Sequence, residues 1–423
     1  MNLADSLIMV INRRNADKGN VRRRGITEYR PSDIGGFFLP ASPATNVVIS
    51  GGDNRIRSLT VHEIARAAGI NNVPVVILHE ANRELEAMMQ LTWANTGRLT
   101  VVNQSNPVYD PFVGLTDMEI GKLVMDAAPK DFDIKPNAKY YIDGMIAYLR
   151  ALKKEPGLDL FAKCNHAGLF ARIDALVAKG TLPDTKGQDI KSRLMQGQSE
   201  NYKLESYFTS LEDQFAGILS RKSSPDQKSV TRAIDDGDVI LVDITSNFNK
   251  LLVNVLVTQI KYAIGKGKLV SFVADELSTE NSELFASLVR TNNDKCKLTV
   301  CSRDVFAMCG GEEKVFHTIL GNSGKVVIYR HTSGASAAKW AEAIGYYDKN
   351  EASTSYSSGS SNSSPLNIFA LNAYNRGSNS TNTVNYNMKR EYIVKPEEIT
   401  RMQPDEAYII DGLTQQLAHT RIN

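Results

Sequence analysis

Eight consecutive residues, Gly51-Gly52-Asp53-Asn54-Arg55-Ile56-Arg57-Ser58, carry the first chemical signal in the chain. Their spacing fits G-x-x-x-x-G-K-[ST], in which backbone N–H groups at a helix N-terminus cradle phosphates, a lysine reaches the outer phosphates and a hydroxyl meets magnesium. Gly51 and Ser58 keep their places, but Ile56 stands for the second glycine and Arg57 for the lysine. A β-branched residue resists the conformations and close approaches open to glycine, so Ile56 should narrow or reshape the cradle. A planar guanidinium is not equivalent to a compact ammonium. Alone, the segment reads either as a descendant of a nucleotide loop or as an ordinary βα turn. The second signal is Asp275-Glu276, which closes the apolar run from Leu269. An aspartate there could support a magnesium shell and a glutamate could polarise an attacking water. Carboxylates are also common at the C-terminal edge of any parallel sheet.

Both signals need strands and helices to hold them. Residues 46–50 read as a buried strand that runs through the glycine turn into a helix entered through Ser58, and a second strand spans 73–78. Together they make a βαβ unit with parallel pairing and a right-handed crossover. A third strand is predicted at 99–103, followed by the turn-like Tyr109-Asp110-Pro111-Phe112. From about 116 to 219 apolar residues recur at spacings of three and four, as in Ile142, Met145, Ile146 and Leu149, which predicts an all-helical insertion. The strand period returns at 238–245 after the Asp236-Gly237 turn. A helix over 247–264, the Asp275-Glu276 strand, a helix over 281–290 and a strand over 297–301 follow. A strand leading to Arg330 and a helix over 335–344 come next; the end of the chain reads as strand, short helix, strand.

Composition narrows the class. With 423 residues, 42% hydrophobic and 23% charged, the chain predicts a globular protein of two parts. A net charge of +2 gives no global pull toward nucleic acid, so any such affinity is local. The local candidate is the basic arm 1–34, with Arg13, Arg14, Lys18, Arg22, Arg23, Arg24 and Arg30. It could touch phosphates or anionic headgroups, or simply be solvated. A Gly35-Gly36 turn and Pro40 and Pro43 lead from it into the 51–58 loop. No apolar run approaches the roughly 18 residues of a membrane span, and no secretory leader is evident, so a cytoplasmic location is expected. Cys164, Cys296, Cys301 and Cys309 lack paired spacing and read as reduced thiols. Residues 350–387, rich in Ser, Asn, Thr and Gly, predict a mobile loop.

In this order the pieces resemble the coupling proteins of type IV secretion and conjugation, over roughly residues 35–415. The likeness rests on the altered 51–58 loop, the 109–112 turn, the helical insertion, the Asp235-Asp236-Gly237 turn and Asp275-Glu276. It rests above all on the ending Pro396-Glu397-Glu398-Ile399 and Glu406-Ala407-Tyr408-Ile409-Ile410-Asp411-Gly412. The resemblance implies an α/β, RecA-like P-loop NTPase fold with a mainly parallel sheet, split as 35–113 and 226–423, with an all-α domain at 114–225. It implies ATP and magnesium as cofactors, with 51–58 binding nucleotide, Ser58 and Asp275 holding magnesium and Glu276 as catalytic base. Arg290 would reach a neighbour's nucleotide, although a surface salt bridge is the commoner job for such an arginine. Where the family tends to have glutamine and serine in a sensor position, Cys301-Ser302-Arg303 stands. With Ile56 and Arg57 that makes three departures at nucleotide-contacting positions.

The function so implied is recruitment of a DNA or DNA–protein substrate, such as a relaxase complex, to secretion-system components, with weak or absent ATP hydrolysis. The chain would work in a homo- or mixed hexamer. The family's N-terminal membrane helices have no counterpart here, so attachment at the inner face of the cell membrane would come from partners or the basic arm. Two alternatives remain: an active DNA-dependent translocase related to the septal DNA pumps, and a non-enzymatic adaptor that binds its cargo through the all-α domain.

Overall fold

The structure, a computed structural model, describes residues 3–28, 46–164, 166–220, 226–245, 250–276, 279–291, 295–360, 378–412 and 416–422. The Gly35-Gly36 turn, Pro40, Pro43 and the centre of the serine-rich stretch lie outside these residues.

Five short apolar runs form the middle of one sheet: β2 (Val47–Ser50), β3 (Val75–His79), β5 (Val239–Asp243), β6 (Val270–Asp275) and β7 (Cys296–Ser302). Every residue in them is buried. Strands covered on both faces need apolar side chains in both directions, which is why the runs are continuous rather than alternating. With β1 (Ile26–Glu28), β4 (Leu99–Val102), β8 (Lys325–Tyr329), β11 (Glu406–Asp411) and β12 (Gln416–Arg421), they give the order β1-β12-β11-β8-β2-β7-β6-β3-β5-β4. Pairing is parallel from β8 through β4, while β11 runs antiparallel to both β8 and β12.

Alternation along each strand divides the core. Val47, Ile49, Val75 and Ile77 face α2 (Asn54–Ile70) and α3 (Arg83–Trp93), through Val61, Ile64, Leu85 and Met89. Val48, Val76 and Leu78 join a larger core on the other face, with Leu252 and Leu256, Phe285, Phe316 and Trp340. Helices alone, from Asp117–Ala127 to Asn201–Phe215, make up the predicted insertion among the described residues. Its Tyr141, Leu204 and Phe208 belong to that same larger core, so the helical segment shares its interior with the sheet.

Three expectations change. The N-terminal segment is not a free arm: α1 (Leu3–Arg24) packs on a two-stranded ribbon of β9 (Tyr346–Ser360) and β10 (Ser378–Tyr392). Asn20 exchanges two hydrogen bonds with the Asn350 backbone, each 3.0 Å, and Arg24 pairs with Glu398, so part of the basic charge is used internally. The flanks of the stretch predicted to be a mobile loop are this antiparallel ribbon, because backbone pairing between polar strands needs no apolar core. Finally, β12 was not foreseen; it brings the end of the chain beside β1, with Ile26 opposite Leu417. Among the described residues no helix is long and apolar enough to cross a membrane.

Candidate functional site

Because β2, β7, β6 and β3 are parallel neighbours, the segments leaving their C-terminal ends share one rim. The 51–58 loop and Asp275-Glu276 therefore meet, as the sequence predicts. They border a cleft of about 630 Å³ lined by Asn54, Arg57, Asn82, Glu276, Arg303 and Asp304 among others.

The loop is shorter than the pattern implies. The helix begins at Asn54, not Ser58, and Asp53 is its N-cap, with its carboxylate accepting from Ile56 N at 2.9 Å. An aspartate in this place satisfies an orphan helix donor and puts negative charge where the helix end would attract an anion. Gly51 has φ +89°, and a Cβ there would lie 2.7 Å from the Tyr329 carbonyl oxygen, so the turn requires glycine. A Cβ on Gly52 would meet Ile56 Cγ2 at 2.7 Å. The Ile56 side chain thus crowds the glycine turn from within the helix's first turn, where a glycine would leave room. Arg55 is exposed at the surface.

Arg57 turns inward. Its side chain is 1% exposed; Nη1 donates to the Gly52 carbonyl at 2.6 Å and Nη2 lies 2.6 Å from Glu276 Oε1. Glu276 also accepts from Arg303 N at 2.7 Å and Ser302 Oγ at 3.2 Å. Oε1 therefore has both lone pairs engaged. The residue sits at φ +52°, a left-handed conformation costly for a glutamate, and the contacts on both oxygens hold it there. The Ser302-Arg303 pair, a departure in sequence, is what clasps the carboxylate.

Ser58 and Asp275 are buried and come together through a residue the sequence reading missed. Asn82, the N-cap of α3, donates from Nδ2 to Ser58 Oγ at 3.0 Å and to Asp275 Oδ2 at 2.7 Å. The Asn-Arg-Glu-Leu sequence after β3 signals a helix cap, but nothing in it signals this bridge. Burial pushes the Asp275 carboxyl above the usual carboxylate range, with the Asn82 contact pulling the other way. Beneath the loop, Ser50 Oγ lies 3.2 Å from His331 Nε2, and burial lowers His331 to about 4. Arg290 lies outside the cleft: it is exposed, and its Nε donates to the carbonyl of Ala286 in its own helix.

The cofactors implied by the resemblance can be tested against this arrangement. Magnesium needs converging oxygen ligands, yet an N–H donor pair occupies the space between Ser58 and Asp275. Phosphate needs free N–H groups, yet Asp53 takes the Ile56 N–H, and Gly51 N and Gly52 N donate to the Ser302 and Arg330 carbonyls. As arranged, these residues do not fit a magnesium nucleotide.

No protein-family model matches the chain, and no curated protein matches it. Solved structures do. Plasmid coupling protein TrwB in complex with the non-hydrolysable GTP analogue GDPNP aligns with a TM-score of 0.52 at 10% identity, covering 96% of this chain and 92% of that one. Its complex with the ATP analogue ADPNP gives 0.51 at 13% identity, over 96% and 92%. The unbound form of this bacterial conjugative coupling protein gives 0.50 at 13% identity, over 92% and 91%. The fold is the RecA-like α/β fold of the conjugative coupling proteins.

Proposed function

We propose that this chain is a coupling-protein homologue that recruits a DNA or DNA–protein substrate for conjugative transfer or type IV secretion and hydrolyses ATP weakly or not at all. The observation that carries the second half is the ion pair between the buried Arg57 guanidinium and the partly exposed Glu276 carboxylate. A general base must be free to take a proton from water, and a phosphate-binding cation must face the phosphates. Here each group is spent on the other. The fold supports the first half, and the substrate would meet the helical segment, where Tyr202 is 77% exposed beside Lys203 along a groove that includes Phe132. The protein would act at the cytoplasmic face of the membrane, as an adaptor or as one subunit of a homo- or mixed hexamer; in a mixed ring Arg290 would reach the nucleotide of an active neighbour.

ATPase turnover of the purified protein, with and without DNA, tests the reading beside Glu276→Gln. The expected rate equals that of the variant. DNA-stimulated turnover abolished by Glu276→Gln would overturn it in favour of a translocase.

A further inference from the structure

The direction in which the Asn82 amide points is fixed by its other bonds. Oδ1 accepts from Leu85 N at 3.1 Å, closing the first turn of α3, and from Asn54 Nδ2 at 3.1 Å, while Ser58 Oγ lies 3.2 Å from it and 3.0 Å from Nδ2. Reversing the amide would set its NH₂ group against the Leu85 N–H and its oxygen against the Asp275 carboxylate. The backbone is fixed as well, because Asn82 N donates to His79 Nδ1 at 3.3 Å. Nδ2 is therefore held between a hydroxyl and a carboxylate, both buried, and its two hydrogens meet the two oxygens a divalent cation would need.

We infer that Asn82 is an internal replacement for the divalent cation: its amide holds Ser58 and Asp275 together, so the rim keeps its arrangement without metal. A magnesium ion would require oxygens at about 2.0–2.1 Å around six positions. To admit it, Asn82 would have to swing out, leaving the Leu85 N–H uncapped and the Asn54 amide without its acceptor. The relation to β6 that a metal would otherwise secure is supplied by a neutral side chain, independent of cation supply. The inference deepens the non-hydrolysing reading and rests on it for its biological sense, while its test involves neither nucleotide nor turnover.

Asn82→Asp is the discriminating change. Aspartate is as good a helix cap as asparagine, but it replaces the bridging donor by an oxygen, so three oxygens converge on one buried point and favour a cation. Thermal midpoints and Mn²⁺ binding of the full chain are compared in EDTA and in millimolar Mn²⁺. Wild type should bind no Mn²⁺ at this rim and show the same midpoint in both. Asn82→Asp should lose several degrees in EDTA, recover most of them in Mn²⁺, and bind Mn²⁺ about tenfold or more tighter than wild type. Should it not fold in EDTA, Asn82→Ser keeps a cap and removes the bridge; it should lower the midpoint, and a midpoint equal to wild type would overturn the inference. Wild-type binding of one Mn²⁺ that Asp275→Asn abolishes would also overturn it. A wild type that turns over ATP yet ignores Mn²⁺ in the absence of nucleotide would defeat the non-hydrolysing reading alone.

Discussion

Two carboxylates, the partly exposed Glu276 at the rim and the buried Asp110 in the turn before the helical segment, are held in opposite ways. Asp110 is satisfied by backbone: Oδ1 accepts from Phe112 N at 2.9 Å and Oδ2 from Leu158 N at 3.3 Å. Around it, Tyr109 N donates to the Ile218 carbonyl and Asp110 N to that of Lys228, so the chain entering the helical segment is tied to the chain leaving it. Tyr109 also donates its hydroxyl to Gln259, whose amide returns a bond to the Pro111 carbonyl. Glu276 depends on a guanidinium and a serine hydroxyl as well as one backbone N–H. A carboxylate held by backbone is an anchor that only a change in the fold releases. One held by side chains is released by a single substitution, so the rim can change its contacts while the architecture stays.

The largest expected effect lies at the anchor. Asp110→Ala leaves two buried N–H donors unpaired and should cost about 3 kcal/mol in a denaturant titration. It should also change the pH profile. Burial pushes Asp110 up to about 7, so the folded chain holds a proton that the unfolded chain releases near its ordinary value. The stability this contributes is full below about pH 4 and is lost as pH rises toward 7, by up to about 1.4 kcal/mol per unit. His331 runs the other way: lowered by burial to about 4, it costs stability as pH falls below about 6.5. Removing Asp110 should therefore steepen the acid-side loss; an unchanged profile would mean that the carboxyl is ionised in its turn.

At the rim, Glu276→Gln leaves the buried Arg57 guanidinium without its counter-charge and should cost about 2–3 kcal/mol in the same titration. If instead the variant is as stable as wild type, the ion pair does not hold the loop, and the contrast between anchor and rim fails. The smallest effect belongs to Arg290→Ala, which should change stability by less than about 0.5 kcal/mol, since the side chain is exposed and bonds only within its helix among the contacts seen. A larger loss would place Arg290 in the rim's network after all.

Much of this was legible in the residues. Short apolar runs ending in glycine or polar residues located the parallel strands, and their order placed 51–58 beside 275–276. Helical spacing located the insertion. The Asp53 cap was also readable, since aspartate before a helix-forming run is a start signal; the match to the phosphate-loop pattern placed the helix start at Ser58 instead. By contrast, neither the docking of α1 on the ribbon nor the pairing of β12 with β1 leaves a local signal, because both join segments far apart in the chain through polar contacts.

Residue types alone determined which groups could reach the rim, since strand length and pattern depend on neighbours within a few positions. Only tertiary structure decided that Arg57 faces Glu276 rather than solvent, and that an asparagine from a third strand end stands between Ser58 and Asp275. Side-chain direction in a packed rim is set by whichever distant partner satisfies a buried polar group, and sequence order does not encode that partner.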